Sequence, residues 1–407
     1  MSVFDEVESA VRTYCRRFPA VFARAEEHLL VDVNGRSYLD FMSGAGVLNY
    51  GHNHPEMRDA LVDYLATGGP VHSLDFHTEA KAAFLEKFRD TVLSGLGSAY
   101  RVQFTGPTGA NAVEAALKIA RRATGRPGIV AFTNGFHGGS LGALAASGNV
   151  AKRAAAGVEL PGVVHVPYDG QGGDSLAHLA FVLDEPGSGT ALPAAVIVET
   201  VQGEGGLATA SAGWLRELQR MVRERDVLLI VDDIQAGCGR TGTFLSFQDA
   251  GVEPDLVCLA KAISGFGLPM ALTLVKEQYD VLEPGAHAGT FRGNNLAFVT
   301  GRVALDLWTR GEFVANLAAR CAELDERLDR MAAALECVPL GRGMFRGLGF
   351  ADRARAGEAS RRAWENGLIA ETSGARGDVL KIMPPLTIRQ EALREGLDIV
   401  EKALSAG

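Results

Sequence analysis

Between Pro55 and about residue 275 the chain keeps one rhythm, in which short apolar runs alternate with amphipathic helical stretches. The runs fall at 101–104, 128–132, 163–166, 194–199, 227–231, 256–259 and 271–275. Helical periodicity fills 109–122, 138–146, 174–184 and 212–224 between them. A strand that is apolar along its whole length is buried on both faces, so helices must cover it above and below. The pattern therefore predicts an α/β fold with an open, mostly parallel central sheet in a large domain. Hydrophobic residues make up 47% of the chain, enough to fill such a core.

The two flanks read differently. Residues 4–16 carry a helical pattern with Val7, Ala10, Val11 and Tyr14 on one face. Residues 29–41 read as a hairpin around Asn34-Gly35, a pair suited to a type I′ turn. From about Leu296 come long helical patterns at 296–310 and 312–336, then an apolar run at 346–350 and a helix at 355–366. Short strands near 368–369 and 379–382 and a closing helix at 390–405 complete a smaller α+β domain. The expected division is residues 1–54, a helix and hairpin packing with the small domain, then 55–295 as the large domain and 296–407 as the small one.

Charge and composition exclude several classes. Forty Lys and Arg stand against 49 acids, a net charge of -9, which argues against a nucleic-acid partner. The strongest apolar run, 227–231, is far short of a membrane span, and the first residues lack the basic start of a signal peptide. The five cysteines are scattered with no Cys-x-x-Cys, and no His-Glu-x-x-His occurs. A cytoplasmic protein without a membrane partner or a catalytic metal is expected.

In a sheet of this kind ligands bind beyond the carboxyl ends of the strands. Asp232 closes the run 227–231, and a carboxylate there needs a cation or donors; the plain alternative is a turn cap. Lys261 follows the run 256–259, where desolvation would leave a neutral amine able to form a Schiff base; the alternative is a surface lysine with a buried stem. Thr108, Gly109 and Ala110 open a helix after the run 101–104, a place suited to a phosphate or to an ordinary N-cap. Phe136 and His137, set among glycines, could stack on a planar ring or simply pack in a turn. Glu199, Gln202 and Glu204 lie on a polar loop at the same edge. Gly237-Cys-Gly239-Arg-Thr-Gly242 imitates a dinucleotide fingerprint but no amphipathic helix follows it.

Taken jointly, a phosphate cradle, a stacking aromatic, a buried carboxylate and a reactive lysine are the needs of pyridoxal phosphate. With those residues the chain resembles the class III aminotransferases of the fold type I pyridoxal-phosphate superfamily, over nearly its whole length. The string Val231-Asp-Asp-Ile-Gln-Ala-Gly-Cys-Gly-Arg-Thr-Gly242 carries most of the resemblance. Leu48–Pro55, Thr105–Glu114, Asn134–Gly138, Val198–Gly206 and Gly289–Asn294 make it closest to the diaminobutyrate–2-oxoglutarate transaminases, the branch that opens ectoine synthesis.

The resemblance implies pyridoxal 5'-phosphate as cofactor, with Lys261 and Asp232 catalytic. Asp232 would pair with the ring nitrogen, Gln235 approach the ring hydroxyl, and Phe136 stack, with His137 beside it. Thr108, Gly109 and Ala110 would hold the phosphate, and Thr290 would reach it from the second subunit of a homodimer or dimer of dimers. Glu204, Arg292 and Lys381 are the expected substrate-binding residues; Lys381 stands where other branches place an arginine. Ala110, Ala260, Ala288 and Asn295 depart from the residues usual in the family, and these changes bear on the substrate rather than the cofactor. The expected reaction moves an amino group between a small diamino acid such as 2,4-diaminobutyrate and a 2-oxo acid such as 2-oxoglutarate. γ-Elimination or γ-replacement on an aminobutyrate-type substrate is the alternative with the same cofactor, and a binding protein on a retired enzyme fold is the alternative without catalysis.

Overall fold

The structure, a computed structural model, describes residues 2–405. Its central sheet has seven strands in the order Tyr100–Phe104, Leu272–Lys276, Leu256–Leu259, Leu228–Asp232, Ala195–Val198, Ile129–Phe132, Val163–Val166. Leu272–Lys276 runs antiparallel to both its neighbours, and the other pairings are parallel. Every residue of Ala195–Val198, Leu228–Asp232 and Leu256–Leu259 is buried, which accounts for the continuous apolar runs. Gly109–Thr124 packs on one face through Ala112, Ala116 and Ile119, and Ala212–Arg223 on the other through Trp214, Leu218 and Val222.

A second sheet joins Phe22–Glu26, Leu29–Asp32 and Ser37–Asp40 to Leu368–Ile369 from the far end of the chain, paired parallel to Ser37–Asp40. Leu39 and Phe41 consequently share a hydrophobic core with Leu324, Leu348, Leu380 and Leu397. A third sheet holds Val338–Arg342, Phe345–Gly349, Val379–Ile382 and Thr372–Ser373. Trp308, at the end of Asn295–Trp308, packs against both the central-sheet core and this later one.

Three local expectations need correction. The helix expected at 4–16 is two short pieces, Val3–Val7 and Tyr14–Arg17, and Val7 and Val11 are exposed, so no apolar face exists to hold a longer one. Asn34-Gly35 does not form a type I′ turn, because Gly35 alone of the pair has a positive φ, +85°. Gly35 N–H donates to Asp32 O (3.0 Å) and Asp32 N–H to Arg36 O (3.0 Å), which is a three-residue loop with glycine at the bulge. The helix expected from 138 begins only at Leu141. Gly138 sits at φ +137° and is spent on a close approach to Ala110, where an added Cβ would lie 2.6 Å from the Ala110 Cβ.

No helix among the described residues is long and apolar enough to cross a membrane. The described residues hold no group of three or more His, Cys, Asp or Glu arranged for a metal ion.

Candidate active site

The strand Leu228–Asp232 is apolar until its last residue, and strand alternation then sends the two adjacent carboxylates in different directions. Asp233 turns into the interior, where the Ser246 N–H (3.0 Å) and hydroxyl donate to it, and burial lifts its carboxyl to about 6. Asp232 turns into a cavity. Its Oδ1 accepts from the Ile234 N–H (3.1 Å), and its Oδ2 lies 2.7 Å from Nδ1 of the buried His137. Burial alone would depress the imidazole, but the hydrogen bond and charge of Asp232 outweigh it and raise its pKa.

Lys261 enters the same cavity from the end of Leu256–Leu259. Its backbone is left-handed, φ +52°, a conformation that costs a β-carbon-bearing residue roughly 1–3 kcal/mol and that clusters at functional sites. Burial lowers its ammonium to about 8, with Glu204 opposing that shift and Lys381 adding to it.

The opposite wall comes from Gly109–Thr124, whose N-terminus presents Gly109 and Ala110 to the cavity. First-turn N–H groups lack partners inside a helix and favour an anion. Thr108 is the N-cap: its hydroxyl accepts from the Asn111 N–H (3.3 Å) and donates to Asn111 Oδ1 (2.9 Å). Phe136 and Ile234 supply the apolar lining. The Phe136 N–H donates to Glu199 Oε1 (2.8 Å) and the Gly203 N–H to Glu199 Oε2 (3.2 Å). Burial is the largest influence on Glu199 and raises its carboxyl. Gln235 donates from Nε2 to Ala45 O (2.8 Å), within a run of positive φ from Ser43 to Gly46 that forms one left-handed turn against the cavity.

The enclosed volume is about 260 Å³, at the small end for ligand sites. Of the residues singled out in the sequence, Gly109, Ala110, Phe136, His137, Glu199, Glu204, Asp232, Gln235 and Lys261 line it together. The remaining ones do not join them within this chain. Lys381 is buried behind Glu204, its ammonium 3.0 Å from Glu204 Oε1 and 2.8 Å from Glu371 Oε1. Burial would lower its pKa, but these two carboxylates reverse the direction and hold it charged. Lys381, one of the expected substrate-binding residues, thus sits between two acids just behind the residues that line the cavity. Arg292 pairs with Asp75 (2.5 Å) and borders a different cavity beside Lys81 and Phe104. Thr290 lies on that same segment, Thr290–Arg292.

Ile234, Lys152, Glu371 and Tyr14 complete the surroundings and are not among the expected site residues. Ile234 was open to detection, because it follows Asp232 by two positions at the end of a strand. Glu371 and Tyr14 were not, since they reach the site from distant parts of the chain. Partial burial, then the charges of Glu371 and Glu204, push the Tyr14 hydroxyl up to about 12. Glu204 is acidic, held at about 2: burial works against ionisation, but Lys381, Lys152 and Lys261 together overcome it.

Known proteins resemble this chain in both sequence and fold. The chain is 50% identical over 408 residues to the diaminobutyrate–2-oxoglutarate transaminase of Nocardia farcinica, covering 99% of this chain and 94% of that protein. It is 51% identical over 402 residues to the transaminase of the same name from Streptomyces anulatus, covering 98% and 96%. Among solved structures, the ornithine aminotransferase of Toxoplasma gondii superposes with a TM-score of 0.86 at 27% identity, over 99% of this chain and 93% of that one. A second structure of that enzyme shows partial occupancy of PLP at its active site. The acetylornithine aminotransferase of Elizabethkingia anophelis gives a TM-score of 0.82 at 25% identity, over 100% and 98%. Residues 11–404 match the family described as aminotransferase class-III, and with agreement running through fold and sequence alike, this chain is a transaminase of the class III aminotransferase family.

Proposed function

We propose that the enzyme transfers an amino group from the terminal amine of 2,4-diaminobutyrate, or in reverse to its semialdehyde, with 2-oxoglutarate and glutamate as the other pair, and with pyridoxal 5'-phosphate in the cavity beside Lys261. The observation that carries this reading is convergence: Asp232, Lys261, Phe136 and the Gly109–Ala110 helix start come from four separate strand ends yet border one cavity. The names of the similar transaminases supply the substrates.

The donor set fits the cofactor. The helix start of Gly109–Thr124 suits a phosphate dianion, and the absence of a side chain at Gly138 keeps the approach to Ala110 open. Asp232 offers an anion to a pyridine nitrogen, Gln235 an amide to a ring oxygen, and Phe136 and Ile234 apolar surfaces to a flat ring. When bound, pyridoxal phosphate supplies a carbonyl and an electron-withdrawing ring that acidifies the substrate's C–H bond.

The chain's own residues do the rest. With an ammonium near 8, about a tenth of Lys261 is a neutral amine at pH 7, against well under about 0.1% for an ordinary lysine. That amine can attack a carbonyl, and once displaced it can carry a proton to and from substrate carbon. His137 fixes the orientation of Asp232, so the carboxylate charge stays aimed into the cavity. Ionised Glu204 and the buried Lys381 set the polarity of the remaining wall. Thr290 of a second copy would complete the phosphate site, which makes the working unit a homodimer or a dimer of dimers. We place the enzyme in the cytoplasm, a reading supported by the five unpaired cysteines.

The test is direct. Enzyme loaded with cofactor, mixed with 2,4-diaminobutyrate and 2-oxoglutarate, should form glutamate and aspartate semialdehyde, identified by mass. Absence of glutamate with this donor, together with turnover of other amines, would remove diaminobutyrate as the substrate.

A further inference from the structure

Lys261 aside, the basic side chains near the cavity among the described residues differ in how firmly they are engaged. Lys381 is neutralised by Glu204 and Glu371, and Arg292 by Asp75 at another cavity. Arg153 spends its guanidinium on the carbonyls of Leu144, Ala145 and Ser147. Lys152, its neighbour in the short helix Val150–Ala154, has its ammonium 4.0 Å from the centroid of the Phe136 ring and 3.6 Å from Glu204 Oε2. The three carbonyl contacts of Arg153, together with the Asn149 side chain accepting from the Lys152 N–H (3.0 Å), fix the turn that carries it. The Lys152 side chain is still 43% exposed, and that of Glu204 30%.

The charges therefore form an alternating row, Glu371, Lys381, Glu204, Lys152, which begins buried and ends on an accessible cation beside the aromatic wall. A cation and an anion 3.6 Å apart and open to solvent hold each other weakly. They match, in spacing and sign, the ammonium and carboxylate borne on one carbon of an α-amino acid. We infer that Lys152 and Glu204 form the subsite for the amino-acid end of the donor, Lys152 taking the α-carboxylate and Glu204 the α-ammonium.

This rests on the diaminobutyrate reading and sharpens it. A donor gripped by its amino-acid end directs its distal amine toward Lys261. Regiospecificity then follows from the mouth of the pocket rather than from the reacting centre. Phe136 adds to the effect, because the ring face lowers the cost of keeping the Lys152 ammonium partly out of water. Tyr14, whose hydroxyl stays protonated, borders the same carboxylates as a neutral donor.

The test compares 2,4-diaminobutyrate with 1,3-diaminopropane, the same diamine without its carboxylate. Binding is read by spectral titration of the bound cofactor in the Lys261→Ala background, where turnover is blocked, and specificity as kcat/KM with Lys261 intact. Lys152→Met should weaken diaminobutyrate binding about tenfold or more and leave diaminopropane within about twofold, while Lys152→Arg should keep most of the preference. Unchanged preference, or equal loss for both amines, overturns the assignment. If enzyme with its native lysines converts diaminopropane but not diaminobutyrate, the substrate reading falls and the subsite with it. If it converts diaminobutyrate and Lys152→Met keeps its preference, the subsite alone falls.

Discussion

At the scale of single residues, the proposed chemistry rests on Lys261, whose charge burial disfavours, and on Asp232, whose carboxylate is held against His137. Lys261→Ala should abolish the covalent, borohydride-fixable attachment of pyridoxal phosphate; a reduced adduct mapping to another lysine would refute the assignment. Lys261 titrates near 8 because burial penalises its charge, so its neutral fraction grows about tenfold per pH unit below 8 and saturates above. The rate at which apoenzyme captures pyridoxal phosphate should follow that curve, rising with pH and levelling off near 8. A rate that keeps climbing to 10 would mean the amine is not depressed. Asp232→Asn removes a charge with little change of shape, and it also leaves His137 without its anionic partner. Turnover should drop by orders of magnitude while cofactor remains bound, and near-normal turnover would make Asp232 merely structural. These two residues were legible in the sequence because a charge closing a fully apolar strand is rare enough to need a reason. Lys152 and Glu371 were not, since nothing in their local sequence points across the fold to Glu204.

At the scale of elements, the strongest test concerns the contact between the loop after Ile129–Phe132 and the helix Gly109–Thr124. Gly138 holds φ +137°, and its missing side chain admits Ala110. Gly138→Ala should therefore cost roughly 1–3 kcal/mol in backbone strain, before the overlap with Ala110 is counted. Because Ala110 also borders the cavity, cofactor should dissociate faster in this variant, and Ala110→Gly added to it should recover part of the loss. Equal melting temperature and cofactor retention in Gly138→Ala and the parent would refute this. The same loop shows how far local patterns reach. All of the expected central strands are present, and those buried along their whole length, such as Ala195–Val198 and Leu256–Leu259, leave an unbroken apolar signature. The helix at 138–146 was extended too far, since small residues continue its pattern while Gly138 is needed for an approach that only the folded chain reveals. Phe22–Glu26 escaped notice because its residues are mostly exposed and carry no alternation of burial. Pro55–Ala66 and Glu79–Thr91 bury few side chains of their own, so their amphipathic signal is weak, and packing against Asn295–Trp308 locates them.

At the scale of the whole molecule, the chain's own cavity has a lysine, a carboxylate and a helix start, but Thr290–Arg292 lies on a different surface. Val71, Leu74, Phe76 and Phe291 are exposed there, with Phe76 and Phe291 both 67% accessible. Bulky apolar residues near one another on a polar surface mark a contact face, and a twofold dimer would pair this face with its own copy. Such an arrangement would carry Thr290 to the partner's phosphate site while covering the aromatic rings. Sedimentation should then give a species of at least about 86 kDa, twice the 43.1 kDa chain. Phe291→Asp, which places a charge within that face, should shift the population toward monomer and weaken cofactor retention in the same step. Loss of dimer with cofactor retained would show that each chain builds its phosphate site alone, and a monomeric parent enzyme with full activity would dismiss the shared site altogether.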